Sequence, residues 1–236
     1  MIGLENQVEV VSAGSSHTAI VSLGMSCQSS RQIRTSLDTL STALGETFER
    51  ERHFFDGLIA PVDGMAALFE DDFPLFQRDQ IEPGPGHPTW QPYGIRFLHH
   101  FRTDDEDADI DAHFDEERSR FGYMREKLAD LANCRRVVFV ISNSQNNLTE
   151  VAEETGMGSI AFKTGELNRL QTAVDRFLGR SCEYLVVSYP DRHGGITHPE
   201  LTVLRPDDSE WTGDKAQWRA LFQDYFGQPK RLSFAV

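Results

Sequence analysis

Cys27 is the residue of this sequence best placed to act as a nucleophile. It follows Thr18-Ala-Ile-Val-Ser-Leu23, an apolar run rich in β-branched residues that ends at Gly24. Such a run is typical of a buried strand in a parallel sheet, and Ile33 and Leu37 recur at the spacing of a following helix. Cys27 is therefore expected in the first helical turn, where unpaired N–H groups and the helix dipole lower the pKa of a thiol.

The position of Cys27 also suits ligand binding. In a parallel α/β sheet, ligands bind beyond the carboxyl ends of the strands, where Gly24 would let a ligand approach the backbone and nearby N–H groups could stabilise an oxyanion. The alternative is that Cys27 only packs, because free cysteine is among the most buried residue types. Cys134 and Cys182 precede their strands, at the opposite edge of the sheet, and for both we expect packing.

The elements that must position these residues alternate between strands and helices. Besides the first run, strands are predicted over Arg136–Ser142, Ser159–Phe162 and Tyr184–Tyr189. Helices are predicted over Phe114–Ala132, Glu166–Leu178 and Asp214–Phe226. This alternation predicts an α/β fold with three layers, in which helices cover both faces of a mostly parallel sheet.

The chain is expected to form one domain over residues 1–236, since this length suits a single core and no repeat or linker divides it. Two segments interrupt the alternation, a Pro- and Gly-rich stretch at Gln80–Tyr93 and an acidic run at Asp104–Glu117. We interpret residues 77–117 as a possible insertion or lid.

Composition and charge indicate which partners and which cellular compartment to expect. With 37 acidic and 23 basic residues the formal charge is −14, which disfavours nucleic acid and anionic membranes. No apolar run approaches the roughly 20 residues of a membrane span, and Met1–Val11 does not resemble a secretory signal. We expect a cytoplasmic protein with three free thiols.

Two motifs resemble those of a bacterial family of unknown function whose members are predicted to be papain-like cysteine peptidases. The first is Ile20-Val-Ser-Leu-Gly-Met-Ser-Cys27, against the family pattern Ser-Leu-Gly-x-x-Cys, and the second is His53-Phe-Phe-Asp-Gly-Leu-Ile-Ala-Pro61. Phe54 and Gly57 replace the Pro and Trp of the family's Pro-Phe-Asp-Trp segment. The similarity runs from about Thr18 to Tyr189.

A third motif of the family, an aromatic-flanked His-Asp-Phe, resembles Leu98-His-His-Phe101, with His99 on its histidine and His100 in place of its aspartate. The resemblance implies Cys27 as nucleophile, His99 as base and Asp56 as the group that orients the imidazole. These are the types that cysteine catalysis requires. Alternatively, the histidines are partly exposed residues at the end of a strand, and Asp56 is a turn or helix-cap residue.

Two further groups of side chains could contribute to a site. Asn143 and Gln145 follow the strand at Arg136–Ser142, so they are candidate substrate-binding residues together with Gly24, although Asn is also a common turn former. Asp191 and His193 follow the last predicted strand. They resemble the late Asp and His of esterases that have a Gly-Asp-Ser nucleophile, which makes Cys27, His193 and Asp191 an alternative triad.

No cofactor or metal is predicted. Asp107-Ala-Asp-Ile-Asp111 begins like a calcium loop but lacks its glycine and closing glutamate, and a solvated acidic face is the preferred interpretation. Gly156-Met-Gly-Ser-Ile-Ala161 fits a dinucleotide fingerprint but does not open a helix after a strand.

The sequence therefore predicts a cysteine-dependent hydrolase or acyl transferase acting on an amide or ester of a small molecule or peptide. If so, the Cys27 sulfur should lie within about 4 Å of a His99 ring nitrogen. A second hypothesis is a non-catalytic carbohydrate- or peptide-binding protein that uses the same cleft, to which Trp90, Tyr93 and Phe97 could contribute. In a third, Cys27 is purely structural. No oligomeric state is indicated.

Overall fold

A computed structural model describes residues 17–84, 86–102, 107–207 and 209–227, so Met1–Val11 lies outside the described residues. In chain order, the strands are β1 (Thr18–Ser22), β2 (Leu58–Ile59), β3 (Ile81–Pro83), β4 (Pro88–Trp90), β5 (Ile95–Phe97), β6 (Arg136–Ser142), β7 (Glu183–Ser188) and β8 (Leu201–Val203). The α-helices are α1 (Gln28–Arg34), α2 (Leu37–Leu44), α3 (Val62–Glu70), α4 (Ile110–Asp130), α5 (Leu148–Thr155), α6 (Thr164–Leu178) and α7 (Lys215–Gly227).

The main sheet has four strands in the order β1-β6-β7-β8, and every pair is parallel. Alternate residues of its strands enter two separate apolar clusters. Val21 and Phe139 pack with residues of α3, α4 and α6, whereas Ile20 and Val140 pack with residues of α2 and α7. Burial of both sets explains why these strands are continuous apolar runs instead of alternating ones. The predicted α/β class and parallel sheet are confirmed.

A second sheet of four short antiparallel strands, in the order β2-β5-β4-β3, was not predicted. It includes much of the segment interpreted as a loop or lid, because β3 and β4 pair as a hairpin. The aromatic residues proposed for a ligand-binding cleft are core residues: Trp90 and Phe97 are fully buried and Tyr93 nearly so. The sheet thus packs as part of the core.

The strand predicted at Ser159–Phe162 is wrong. This segment is irregular and connects α5 to α6, while β6 pairs directly with β7, leaving it no place in the sheet. Its backbone groups are satisfied elsewhere: the Asn143 side chain donates to Ile160 O, and Phe162 N donates to Arg192 O.

The long helices are confirmed at slightly different bounds, with α4, α6 and α7 matching the three that were predicted. The acidic run at Asp104–Glu117 is described only from residue 107, and from Ile110 it belongs to α4. Asp107, Asp109 and Asp111, which were interpreted as a solvated acidic face, are exposed, whereas Glu117 at the end of the run is buried. No helix in the described ranges combines the length and apolarity that crossing a membrane requires.

Candidate active site around Cys27

A tight turn joins β1 to Cys27. Gly24 and Met25 both have left-handed backbone conformations, with φ of 64° and 48°. A left-handed methionine is uncommon, and such residues persist where the surrounding structure holds them in place. A Cβ on Gly24 would lie 3.1 Å from Met65 Sδ and 3.2 Å from Ala60 Cβ, so Gly24 is needed here for close packing. The turn places Cys27 at the N-cap of α1.

Cys27, Asp56 and His99 line one cavity of about 300 Å³, which we call the Cys27 pocket. The other lining residues are Ser30, Arg31, Arg34, Arg50, Arg52, Gly57 and Trp211. The pocket lies beyond the carboxyl end of β1, where the sequence predicted a ligand site. The structure thus brings together three residues that are far apart in the chain.

The thiol of Cys27 is half-buried, and burial raises its pKa above the ordinary value. The carboxylate of Asp56 acts in the same direction, whereas the residue's own N–H, Arg31 and Arg34 act in the opposite one. The predicted lowering of this pKa is therefore not observed. One reason is that α1 has only seven residues, so few peptide dipoles are aligned behind the thiol.

The carboxylate of Asp56 is buried and holds the turn in front of the pocket. Asp56 Oδ2 pairs with Arg50 and accepts a hydrogen bond from His53 N at 3.1 Å. Arg50 also donates to Ser30 Oγ at 2.7 Å, which ties the turn to α1. Among the described residues, no hydrogen bond joins Asp56 to His99, so the predicted orientation of the imidazole by this carboxylate is not formed.

His99 lies at the exposed side of the pocket. Partial loss of hydration lowers the pKa of its imidazole from the ordinary value, and electrostatic interactions with the neighbouring His100, Arg102 and Arg52 act in the same direction. His99 is therefore neutral at pH 7, the form that can accept a proton. Within the described chain, no hydrogen bond joins its ring to Cys27, so the two groups share the pocket without a direct thiol–imidazole bond.

A second histidine, His100, forms a pair with a carboxylate that the sequence did not suggest. His100 is fully buried, and its Nδ1 lies 3.0 Å from Glu117 Oε2. Its Nε2 has no hydrogen-bond partner in the described residues, and a Cβ on Gly57 would lie 3.6 Å from it. This nitrogen is therefore close to Gly57, a residue of the Cys27 pocket.

Glu117 is ionised in this pair. Burial by itself would raise its pKa, but the hydrogen bond and charge of His100, the charge of Arg120 and the Phe101 N–H outweigh burial and lower it. One signal could have identified Glu117, because it continues the apolar stripe of α4 one turn before Phe121.

A buried polar network lies beneath the pocket. Gln28 Oε1 accepts hydrogen bonds from Ser142 Oγ at 2.7 Å and Ser144 Oγ at 3.3 Å, and Gln28 Nε2 donates to Thr212 O at 2.7 Å. Gln32 Nε2 donates to the same carbonyl at 2.9 Å. Helix α1 is thereby attached both to the end of β6 and to the segment that carries Trp211.

The predicted substrate-binding residues do not line the Cys27 pocket. Asn143 Nδ2 donates to Ile160 O and to Arg192 O, both at 2.9 Å, and Gln145 Nε2 donates to Asn147 Oδ1 at 2.8 Å. Gly24 also lies outside the lining. The amides of Asn143 and Gln145 stabilise the loops after β6 and β7.

The alternative triad is not assembled around Cys27 either. Neither Asp191 nor His193 lines the pocket, and His193 Nδ1 accepts a hydrogen bond from Gly195 N at 3.0 Å. Asp191 is exposed and lies 3.6 Å from Arg192.

Within the described ranges, no three His, Cys, Asp or Glu side chains are grouped closely enough to hold a metal ion. The chemistry available in the pocket is that of a thiol, a neutral imidazole and several guanidinium groups. Comparison of the chain with protein-family models, with curated proteins and with solved structures gave no match, so the likeness to papain-like cysteine peptidases stays a prediction.

Proposed function

We propose that this protein is a cysteine-dependent hydrolase or acyl transferase that acts on an ester or amide of a small molecule or peptide. The observation that carries the proposal is the shared pocket of Cys27, His99 and Asp56. A nucleophile and a base that can meet the same substrate are the minimum that this chemistry requires. The three free cysteines support a reducing compartment such as the cytoplasm.

In the proposed step, the Cys27 sulfur attacks the carbonyl carbon of the substrate while its proton passes to His99. The tetrahedral oxyanion is stabilised by the guanidinium groups of the pocket. Collapse breaks the bond to the leaving alcohol or amine, which takes the proton from His99, and a thioester remains on Cys27. Water or an acceptor then attacks the thioester and restores the thiol.

The protonation states favour general-base catalysis over a preformed thiolate–imidazolium pair. Burial raises the pKa of Cys27 and lowers that of His99, so both groups are neutral near pH 7. The proton must then move during attack, when a substrate has entered between them. Asp56 contributes by keeping the turn and Arg50 in place instead of by touching the imidazole.

A non-catalytic binding protein is the second candidate, and a specific observation favours it. Asp56, which would orient the base in a triad, is paired with Arg50, and Cys27 makes no hydrogen bond to His99 within the described residues. A pocket that kept its shape while losing the reaction would have these properties.

Acyl-enzyme trapping separates the two candidates. The protein is incubated with a panel of activated esters and thioesters, and the acyl group on Cys27 is located by mass spectrometry. We expect acylation of Cys27 that His99→Ala slows about 100-fold, because a general base contributes at least this much. Because the pKa of His99 is lowered from its ordinary value, the acylation rate should be unchanged around neutral pH and fall only at pH values below 6.5.

Cys27→Ala should abolish the acyl adduct, whereas Cys182→Ala, outside the pocket, should leave it unchanged. Acylation at the rate of the urea-unfolded chain, with no effect of His99→Ala, would contradict the enzyme proposal and favour the binding protein.

A further inference from the structure

Arginine is concentrated in the Cys27 pocket. Arg31, Arg34, Arg50 and Arg52 line it, and Asp56 is the one carboxylate among the described lining residues. The chain as a whole has 37 acidic and 23 basic residues, so a cationic cavity is the opposite of what its composition predicts. Such a local reversal of charge focuses the field of a protein on a ligand of the opposite sign.

Three of these arginines are not neutralised by a close ion pair, although the charge of Arg31 also acts on the more distant carboxylate of Glu210. Arg50 is paired with Asp56, but Arg31, Arg34 and Arg52 form no ion pair with any residue that the structure describes. All three are exposed at the pocket and approach it from two elements, α1 and the segment before β2. Guanidinium groups bind carboxylates and phosphates with paired, charge-assisted hydrogen bonds.

We propose that the Cys27 pocket binds a carboxylate or phosphate group of its ligand through Arg31, Arg34 and Arg52. The inference rests on the proposed function only where it calls the ligand a substrate. Anion binding itself would also occur in a protein without catalysis. A cavity of about 300 Å³ accommodates a small anionic molecule or the anionic end of a larger one.

Trp211 adds an apolar surface to the Cys27 pocket. It lines the same pocket and is 43% exposed, whereas Trp90 and Trp218 are buried. An exposed indole beside guanidinium groups offers an apolar surface to the part of the ligand that carries no charge. The bound anion would also stabilise the imidazolium that forms when His99 takes the thiol proton.

Two alkylating reagents of nearly equal size test the proposal directly at Cys27. Iodoacetate is anionic and iodoacetamide is neutral, and with both the thiolate sulfur displaces iodide. The ratio of their rates at Cys27, measured by mass spectrometry of each cysteine, cancels the thiolate fraction and reports the preference for an anion. At low ionic strength we expect a ratio about tenfold above that of the urea-unfolded chain, falling as salt is added.

The arginine variants identify the source of that preference. Arg31→Gln, Arg34→Gln and Arg52→Gln should each lower the ratio about two- to threefold, and the triple variant should return it to the value of the unfolded chain. Arg205→Gln is the matched control, because Arg205 is exposed, has no ion pair in the described residues and lies outside the pocket. It should leave the ratio unchanged.

A second measurement, an anion-binding titration, does not depend on the rate at which Cys27 is alkylated, and it also identifies the anionic group that the pocket prefers. Inorganic phosphate and succinate are titrated while the fluorescence of Trp211 is followed, with Trp211→Phe as the blank. Saturable binding that Arg34→Gln weakens supports the proposal, and tighter binding of phosphate or of succinate assigns a phosphorylated or a carboxylate ligand. A ratio equal to that of the unfolded chain, together with no saturable binding of either anion, would overturn it.

The outcomes separate this inference from the proposed function. Anion preference without acylation leaves the binding site and removes the hydrolase. Acylation by neutral esters alone, with no anion preference, leaves the hydrolase and removes the anion site.

Discussion

The two ends of β1 open into cavities of opposite character. The Cys27 pocket at the carboxyl end has a volume of about 300 Å³ and a lining rich in arginine. The cavity at the amino end, which we call the Cys134 cavity, is larger at about 570 Å³. Its lining includes four carboxylates, from Glu46, Glu49, Glu51 and Asp130, and one lysine, Lys127.

Each cavity contains a cysteine and a histidine. The thiol–imidazole contact is found in the Cys134 cavity, whereas the charges that favour a thiolate or an anionic ligand are found in the Cys27 pocket. In the larger cavity Cys134 Sγ lies 3.7 Å from His17 Nε2, whereas no hydrogen bond joins Cys27 to His99 in the part of the chain that the structure describes. Burial raises the pKa of Cys134, and Glu51 and Asp130 act in the same direction against Arg180 alone. Proximity of thiol and imidazole is therefore not sufficient, because surrounding carboxylates disfavour both the thiolate and an anionic ligand.

The turn from His53 to Gly57 lies between the two cavities, and removing its carboxylate should have the largest effect. Asp56→Ala leaves the partly buried Arg50 without a carboxylate partner and removes the acceptor of His53 N, so we expect a loss of about 3 kcal/mol in the free energy of unfolding. Urea denaturation measures it. Asp111→Ala, which removes an ion pair on the exposed surface, is the control and should not change the midpoint. Equal effects of the two substitutions would show that the Asp56 carboxylate does not stabilise the turn between the two cavities.

His53 makes the Cys134 cavity the more acid-sensitive of the two, because its pKa is shifted further than that of His99. Burial lowers its folded pKa to about 4, with Lys127 and Arg50 acting in the same direction and Asp56 and Glu51 opposing them. The unfolded chain therefore binds more protons between pH 6.5 and 4, so the stability that His53 contributes is complete above pH 6.5 and is lost as the pH falls toward 4. We expect the difference in unfolding free energy between the wild type and His53→Gln to decrease by on the order of 2 kcal/mol from pH 7 to pH 4.5. A difference independent of pH would contradict this assignment.

The cysteines should show the smallest but most direct contrast. Relative to the unfolded chain, Cys27 should prefer iodoacetate over iodoacetamide about tenfold and Cys134 should prefer iodoacetamide, so at low salt the two ratios should diverge by somewhat more than about tenfold. Both rates are read from one labelled sample by mass spectrometry, so each cysteine serves as the control for the other. The same preference at both sites would break the contrast between the cavities.

The main sheet was predictable because its signals are local. Buried parallel strands such as β6 are continuous apolar runs, and the rule that ligands bind at the carboxyl ends of strands placed Cys27 at a pocket. The second sheet was not predictable, because strands of two or three residues, such as β2 and β3, are too short to show alternation.

The chemistry of the pocket was harder to predict than its position. In the sequence, Arg31 and Arg34 cannot be distinguished from ordinary surface charges on a helix. No sequence pattern predicts that Arg52 or Trp211 lies in the same cavity. Only the packed fold assembles them. Glu117 was missed for a related reason, since it was grouped with neighbouring acidic residues in the chain instead of with the buried face of α4.

The hydrogen bonds of Gln28 have a consequence for local unfolding. The segment around Trp211 and Thr212 has no strand or helix of its own, and the amides of Gln28 and Gln32 bind Thr212 O, while Asn146 N binds Trp211 O at 2.9 Å. Asn146 Nδ2 also donates to Asp207 O and Glu210 O, and breaking this small set of bonds would detach one wall of the pocket without separating any pair of strands. Amide hydrogens of this wall should therefore exchange by a low-energy opening, while those of β6 exchange only through global unfolding.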